Sequence, residues 1–110
     1  MSTIKDLTLN GNRVMAVDEA DNVKAFGVAT GAILWEQENL KLRKLTSPVS
    51  IRNFIAVGDL EGYIHLLDAK NGDFLGRKKI SRRPIMELTS ESNFLLAVDE
   101  SGKIFKLSIN

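Results

Sequence analysis

The chain has 110 residues, room for one small domain, and its 44% hydrophobic and 26% charged content is ordinary for a globular protein. Fifteen basic against fourteen acidic side chains leave a net charge of +1, so bulk charge argues for no nucleic-acid partner and no anionic membrane surface. Cysteine is absent, which excludes disulfides, thiol chemistry and cysteine–zinc sites.

Taken in chain order, the segment from Met1 to Asp6 has no basic stretch followed by an apolar run. We therefore expect no signal or lipid-anchor sequence here, and either a cytosolic protein or one whose export signal lies outside this chain. No later stretch approaches the roughly 20 apolar residues of a membrane-spanning helix. Period-2 alternation then dominates, with no sustained helical spacing. It predicts strands over Ile4 to Leu9, Arg13 to Asp18, Asn22 to Gly27 and Ile33 to Glu38. A second group covers Leu45 to Ile51, Phe54 to Gly58, Tyr63 to Asp68 and Phe74 to Ile80. A third covers Met86 to Ser90, Phe94 to Val98 and Lys103 to Ile109. Between them fall Asn10-Gly11-Asn12, Asp21-Asn22, Thr30-Gly31, Glu61-Gly62, Asn71-Gly72 and Ser101-Gly102, residues that tolerate the positive φ of tight turns.

These groups are copies of one unit. The runs from Arg13, Asn53 and Phe94 align, with Ala16-Val17, Ala56-Val57 and Ala97-Val98 recurring at spacings of 40 and 41 residues. In that alignment the middle copy carries one extra residue in its turn, where hairpins tolerate insertion. A β-sandwich has no reason to repeat its sequence at this interval, and a β-solenoid usually repeats at a shorter one. Four short strands repeating near forty residues indicate a propeller blade. The expected fold is all-β, a partial β-propeller of about two and three-quarter four-stranded antiparallel blades. Residues 1–110 form one domain, with blades at 4–40 and 44–80 and an incomplete blade at 84–110.

Two segments carry a more specific likeness: Ala25 to Trp35, and Leu66 to Gly76. They resemble the PQQ-type propeller repeat, Ala-x-Asp-x-x-Thr-Gly-x-x-x-Trp. The first keeps Thr30, Gly31 and Trp35 but has Gly27 for Asp. The second keeps Asp68 and Gly72 but has Asn71 for Thr and Gly76 for Trp. That departure puts the family's tryptophan docking in question at the second blade. Gly31 and Gly72 would close tight turns, and Trp35 would fill the gap between blades. The run from Leu45 to His65, with Leu-Thr-Ser-Pro-Val and Val-Gly-Asp-Leu-Glu-Gly-Tyr-Ile-His, resembles the BamB family, propeller lipoproteins of the outer-membrane β-barrel assembly machinery. The likeness extends from about Ile4 to Asn110 and corresponds to the C-terminal blades. It implies a non-enzymatic scaffold at the periplasmic face of the outer membrane. A BamA-like assembly subunit would be its partner, and unfolded outer-membrane proteins a possible second one. The blades that carry the family's partner contacts lie upstream of the matched region, so no contact residue is carried over.

Few residues point to chemistry. His65, the only histidine, lies mid-strand without a second metal-type residue at a ligand-like offset, and is expected to be structural or half-exposed. Asp59 and Glu61 resemble a carboxylate pair, but the same acidic turn recurs at Asp18-Glu19-Asp21 and Asp99-Glu100. Three repeated hairpin tips read more simply as solvated turns, and they lack calcium-loop spacing. No phosphate-binding glycine loop is present. The PQQ-like pattern is architectural and implies no cofactor, and no metal is expected.

The connections between blades are basic and apolar, Leu40-Lys41-Leu42-Arg43-Lys44 and Ser81-Arg82-Arg83-Pro84. They should emerge on the same face as the acidic hairpin tips. Leu40 and Leu42 are the candidate apolar anchors of a docking face there, with Arg43, Lys44, Arg82 and Arg83 orienting the partner. Ordinary solvated decoration with weak surface ion pairs is the competing reading. The functional alternatives are part of a PQQ-dependent dehydrogenase, or a ligand-sensing propeller domain. A third blade without its outer strand exposes an edge after Lys103 to Ile109, and blade flanks are apolar, so a homo-oligomer is expected.

Overall fold

The computed structural model describes residues 3–109. Among them are eleven strands, β1 (Ile4–Asn10), β2 (Arg13–Asp18), β3 (Val23–Gly27), β4 (Ile33–Gln37), β5 (Val49–Ile51), β6 (Phe54–Gly58), β7 (Tyr63–Asp68), β8 (Phe74–Lys79), β9 (Ile85–Glu91), β10 (Phe94–Asp99) and β11 (Ile104–Ser108). They form antiparallel sheets of four, four and three strands, in the orders β1-β2-β3-β4, β5-β6-β7-β8 and β9-β10-β11. These are the meandering blades that the forty-residue repeat predicts.

The first strands of the blades lie side by side and are tied by polar bonds. Asn10 Nδ2 donates to Ser50 Oγ at 2.6 Å and to the Arg52 carbonyl at 3.0 Å, and Ser90 Oγ donates to the Ser50 carbonyl at 3.0 Å. Ser47 Oγ donates to Asp6. Such polar first strands suit a position facing a central axis, while the two flanks of each blade are apolar.

Both cores are inter-blade cores. Met15, Val17, Val23, Ala25 and Trp35 of the first blade meet Ile55, Val57, Leu67 and Ala69 of the second, with Leu40 and Leu45 from the connection. The other flank of the second blade presents Ala56 and Ile64 to Ile85, Leu88, Leu95 and Ala97 of the third. Each large side chain wholly buried this way, Ile55 or Leu67 for example, contributes roughly 1.5–3 kcal/mol. A central blade is apolar on both flanks, so its second strand reads as a near-continuous hydrophobic run.

The pairing registers correct the sequence alignment. Ala16 opposes Lys24, Val57 opposes His65, and Ala97 opposes Phe105. Thus Val57, and not Ala56, is equivalent to Ala16 and Ala97, and Gly58 takes the place of Val17 and Val98. The hairpin turns are equal in length, and the middle copy has no extra turn residue. Gly58 is small because a Cβ there would lie 2.6 Å from Ile85 Cγ2. β5 is also shorter than expected. Before it, Thr46 N–H still donates to the Gly58 carbonyl at 2.9 Å, but the return bond from Gly58 N–H goes to Thr46 Oγ1 at 3.0 Å and not to its carbonyl, and Pro48 has no N–H to continue the ladder.

Candidate functional site

The face carrying the β2–β3, β6–β7 and β10–β11 turns is built on a repeated aspartate. Asp18 and Asp99 are the last residues of β2 and β10, and Asp59 directly follows β6, at spacings of 41 and 40 residues. Each folds one carboxylate oxygen over its own turn. Asp18 Oδ1 accepts from Ala20 and Asn22 N–H at 2.9 and 3.0 Å. Asp59 Oδ1 accepts from Glu61 and Tyr63 N–H at 2.9 and 3.0 Å, and Asp99 Oδ1 from Ser101 and Lys103 N–H at 2.9 and 3.0 Å. These are the side-chain-to-backbone turns that aspartate favours. All three side chains are buried. They are therefore not the solvated tips expected from the sequence, whereas Glu19, Glu61 and Glu100 beside them are exposed.

The second oxygen reaches sideways, and its partner differs between blades. Asp18 Oδ2 pairs with Lys24 Nζ at 3.3 Å. Asp59 Oδ2 accepts from His65 Nε2 at 2.6 Å and from Arg43 at 3.3 Å. Asp99 Oδ2 accepts from Ser81 Oγ at 2.7 Å. Lys24 and His65 stand at the same offset of six residues from their aspartates, a place held by Phe105 in the third blade. His65 is 2% exposed, so it is a buried strand residue and not half-exposed. Because an ionised carboxylate can only accept, Nε2 carries the proton in this pair.

These contacts fix the charge of the aspartates. Burial opposes ionisation of Asp18, but the donors from Asn22, Lys24 and Ala20 outweigh it and hold the carboxyl below its ordinary value. At Asp59 burial is likewise overcome, by His65 and the Tyr63 and Glu61 amides. The hydroxyls of Ser101 and Ser81 lead in lowering Asp99 to about 2. All three are anions at neutral pH.

The same aspartates hold the connections between blades. Arg43 NH1 reaches both Asp59 at 3.3 Å and Glu61 at 3.4 Å, and Leu60 N–H donates to the Arg43 carbonyl at 2.9 Å. Asp21 has positive φ, where the other blades have Gly62 and Gly102. Its carboxylate, nearly buried, accepts from Lys44 and Leu45 N–H at 3.1 and 3.0 Å and pairs with Lys5 at 2.9 Å. In the second blade the carbonyl of Gly62 accepts from Ile80 N–H at 2.9 Å, and a Cβ at Gly62 would lie 1.9 Å from the Ser81 carbonyl oxygen. Asp21 and Gly62 thus secure the entry to the next blade by different atoms.

The six residues expected to face a partner divide. Leu40 is 2% exposed and packs in the inter-blade core, so it is no surface anchor; the turn after β4 folds it under the loop. Leu42 is 84% exposed and has φ 63°. Lys44 is exposed with φ 51°. Arg43 is half-buried by its carboxylate partners, Arg82 is exposed, and Arg83 is exposed with Glu100 3.8 Å away. The basic loops and acidic turns do share one face, as the bond from Glu100 N–H to the Pro84 carbonyl at 2.9 Å requires.

At the other end of the blades, Thr30 Oγ1 accepts from Ala32 N–H at 3.2 Å, and Asp68 Oδ1 from Lys70 N–H at 2.8 Å. Gly31 and Gly72 both have positive φ. Trp35 crosses to the second blade, where its Nε1 donates to the Ala69 carbonyl at 3.0 Å. Tryptophan docking therefore operates between the first and second blades; at the corresponding position in β8 stands Gly76, with nothing within 4 Å of an added Cβ. No cluster of three or more metal-type side chains occurs among the described residues.

Comparison with known proteins converges on one family. The family model described as outer membrane protein assembly factor BamB matches residues 2–108. The protein of that name from Escherichia coli K12 is 31% identical over 109 residues, 98% of this chain and 28% of its own length. The one from Kangiella koreensis is 36% identical over 81 residues, 74% of this chain and 21% of its own length. Among solved structures, BamB from Moraxella catarrhalis superposes with a TM-score of 0.89 at 34% identity, covering 94% of this chain and 32% of that one. The WD40 repeats of RRP9 match with a TM-score of 0.87 at 12% identity, covering 99% and 36%, a likeness of fold alone. This chain spans less than a third of the length of each of these BamB proteins. With its sequence matched almost end to end and its blades superposing on a BamB propeller, the chain belongs to the BamB family.

Proposed function

We propose that this chain contributes to outer-membrane protein assembly as a non-enzymatic docking scaffold at the periplasmic face of the outer membrane. Its partner in this reading is a BamA-like assembly subunit, and unfolded outer-membrane proteins are a second class of client. The observation that carries the docking role is Leu42. A leucine at φ 63° with 84% of its surface in water bears a left-handed backbone cost of about 1–2 kcal/mol with no burial to offset it. Strain of this kind is retained where the surroundings impose it, commonly at binding sites. Here the surroundings are explicit: Arg43 is held by Asp59, and the Lys44 and Leu45 amides are held by Asp21. They set a rigid loop with an apolar tip between Lys41 and Lys44, joined on the same face by Arg82 and Arg83.

Leu42→Gly tests the reading, because glycine accepts the same φ. The variant should unfold no earlier than the parent, and it should bind the periplasmic domains of a BamA-like subunit at least tenfold more weakly by calorimetry. Equal affinity for variant and parent would remove Leu42 from the interface.

A further inference from the structure

A groove of about 410 Å³ lies between the loop leaving the first blade and the outer strand of the second. Its basic wall is Arg43, His65 and Arg77, and its apolar wall is Leu40, Phe74 and Leu75. No carboxylate side chain lines it. We infer that this groove binds a monocarboxylate carried on an apolar group.

The donor set supports an anion. His65 has its Nε2 fixed by Asp59, and its second ring nitrogen has no hydrogen-bond partner among the described residues. That ring is almost wholly buried and borders the groove; with Nε2 carrying the proton its other nitrogen is a lone-pair acceptor, so the donors to an anion are the arginines and not the ring. Arg77, directly across the ladder from His65, has no carboxylate within ion-pair distance among the described residues. Its guanidinium instead lies 4.8 Å from the centre of the Tyr63 ring, which leaves its planar donor fork open to a carboxylate. Asp59 and Glu61 partly neutralise Arg43, which leaves Arg77 as the uncompensated charge.

The apolar wall sets the other half of the ligand. Phe74 and Leu75 are 42% and 49% exposed, whereas Leu40 is the buried floor. The volume falls within the range of small-molecule sites, roughly 300–1,000 Å³. It admits a medium-length aliphatic tail or one apolar amino-acid residue. Two complete blades bound the groove, so its geometry does not depend on the third.

Two probes carry this chemistry from different sources: octanoate, and N-acetyl-leucyl-phenylalanine with a free C-terminus. His65 is the only histidine, so its ring resonances report the site without assignment ambiguity. We expect saturable shifts of those resonances with at least one probe, and the tighter probe identifies the source. The C-terminal amide of the dipeptide, and octanamide, should bind at least tenfold more weakly than the acids. Arg77→Ala should weaken acid binding at least tenfold and Arg77→Lys by less, while substitution of the exposed Lys70, outside the groove, by alanine (K70A) leaves it unchanged. Equal binding of acid and amide, unmoved His65 resonances at millimolar probe, or full affinity in Arg77→Ala each overturn the assignment.

Discussion

Trp35 in the first blade and Gly72 in the second form one joint. The indole lies so close that a Cβ on Gly72 would sit 2.3 Å from Trp35 Cε3, and Gly72 itself has φ 79°. Gly72→Ala must therefore strain the turn and displace the ring together. A loss of about 2–4 kcal/mol is expected, combining overpacking with left-handed strain. Trp35→Phe removes the bond to the Ala69 carbonyl as well as packed area, and should cost about 1–3 kcal/mol. Urea unfolding measures both. If Gly72→Ala were neutral, the joint would not be rigid.

Asp59 is the most connected of the three capping aspartates. Asp59→Ala leaves His65, Arg43 and two turn amides without their acceptor, and should destabilise by about 3–5 kcal/mol. Glu61→Ala, on the exposed rim, should cost no more than about 1 kcal/mol. Comparable losses at the two positions would contradict the assignment of Asp59 as a buried tie.

Acid should unfold the chain through these carboxylates. All three have folded values below the unfolded one, and Asp99 falls from 3.8 to about 2. Their stabilisation is complete above the unfolded value and disappears as pH drops through the folded value. The stabilisation these three carboxylates supply should be complete at neutral pH and fall progressively from about pH 5 towards pH 2. Asp99→Asn should flatten that fall. Denaturant midpoints across the range test it, and a parent curve independent of pH below 4 would contradict it.

The same repeat leaves apolar surface on the flank of the first blade, where Leu7, Leu9 and Leu34 are 55%, 62% and 51% exposed. β11 pairs only with β10 among the described residues. Such surfaces favour a second copy of the chain. Light scattering at tens of micromolar should give a mass above 12.2 kDa, and a monodisperse monomer would refute self-association.

Strand positions were legible because alternation and turn glycines are local signals, and ten of the eleven strands differ from expectation by at most one residue at either end, β5 being the exception. The depth of Asp18, Asp59 and Asp99 was not. A charged residue in a hairpin reads as solvated, and burial there depends on which loop of the next blade passes over it. The usable signal was the recurrence of aspartate at 41 and 40 residues, which the Ala-Val alignment obscured because Gly58 replaces valine. Leu40 and Leu42 show the same limit. Two leucines two residues apart in a basic loop look equivalent, yet backbone reversal sends one into the core and the other into water. The His65–Asp59 bond follows from a six-residue offset that Lys24–Asp18 repeats, a pattern visible only once the hairpins are in register.

The docking role rests on the loop around Leu42, and residue-resolved NMR titration tests it most directly. When the periplasmic domains of a BamA-like subunit are added to isotopically labelled chain, the resonances of Lys41 to Lys44 and Arg82 to Arg83 should shift together and saturate. Leu42→Gly should abolish those shifts while leaving the Trp35 indole signal in place. Shifts confined to the opposite end of the blades, around Thr30 and Asn71, would contradict the account.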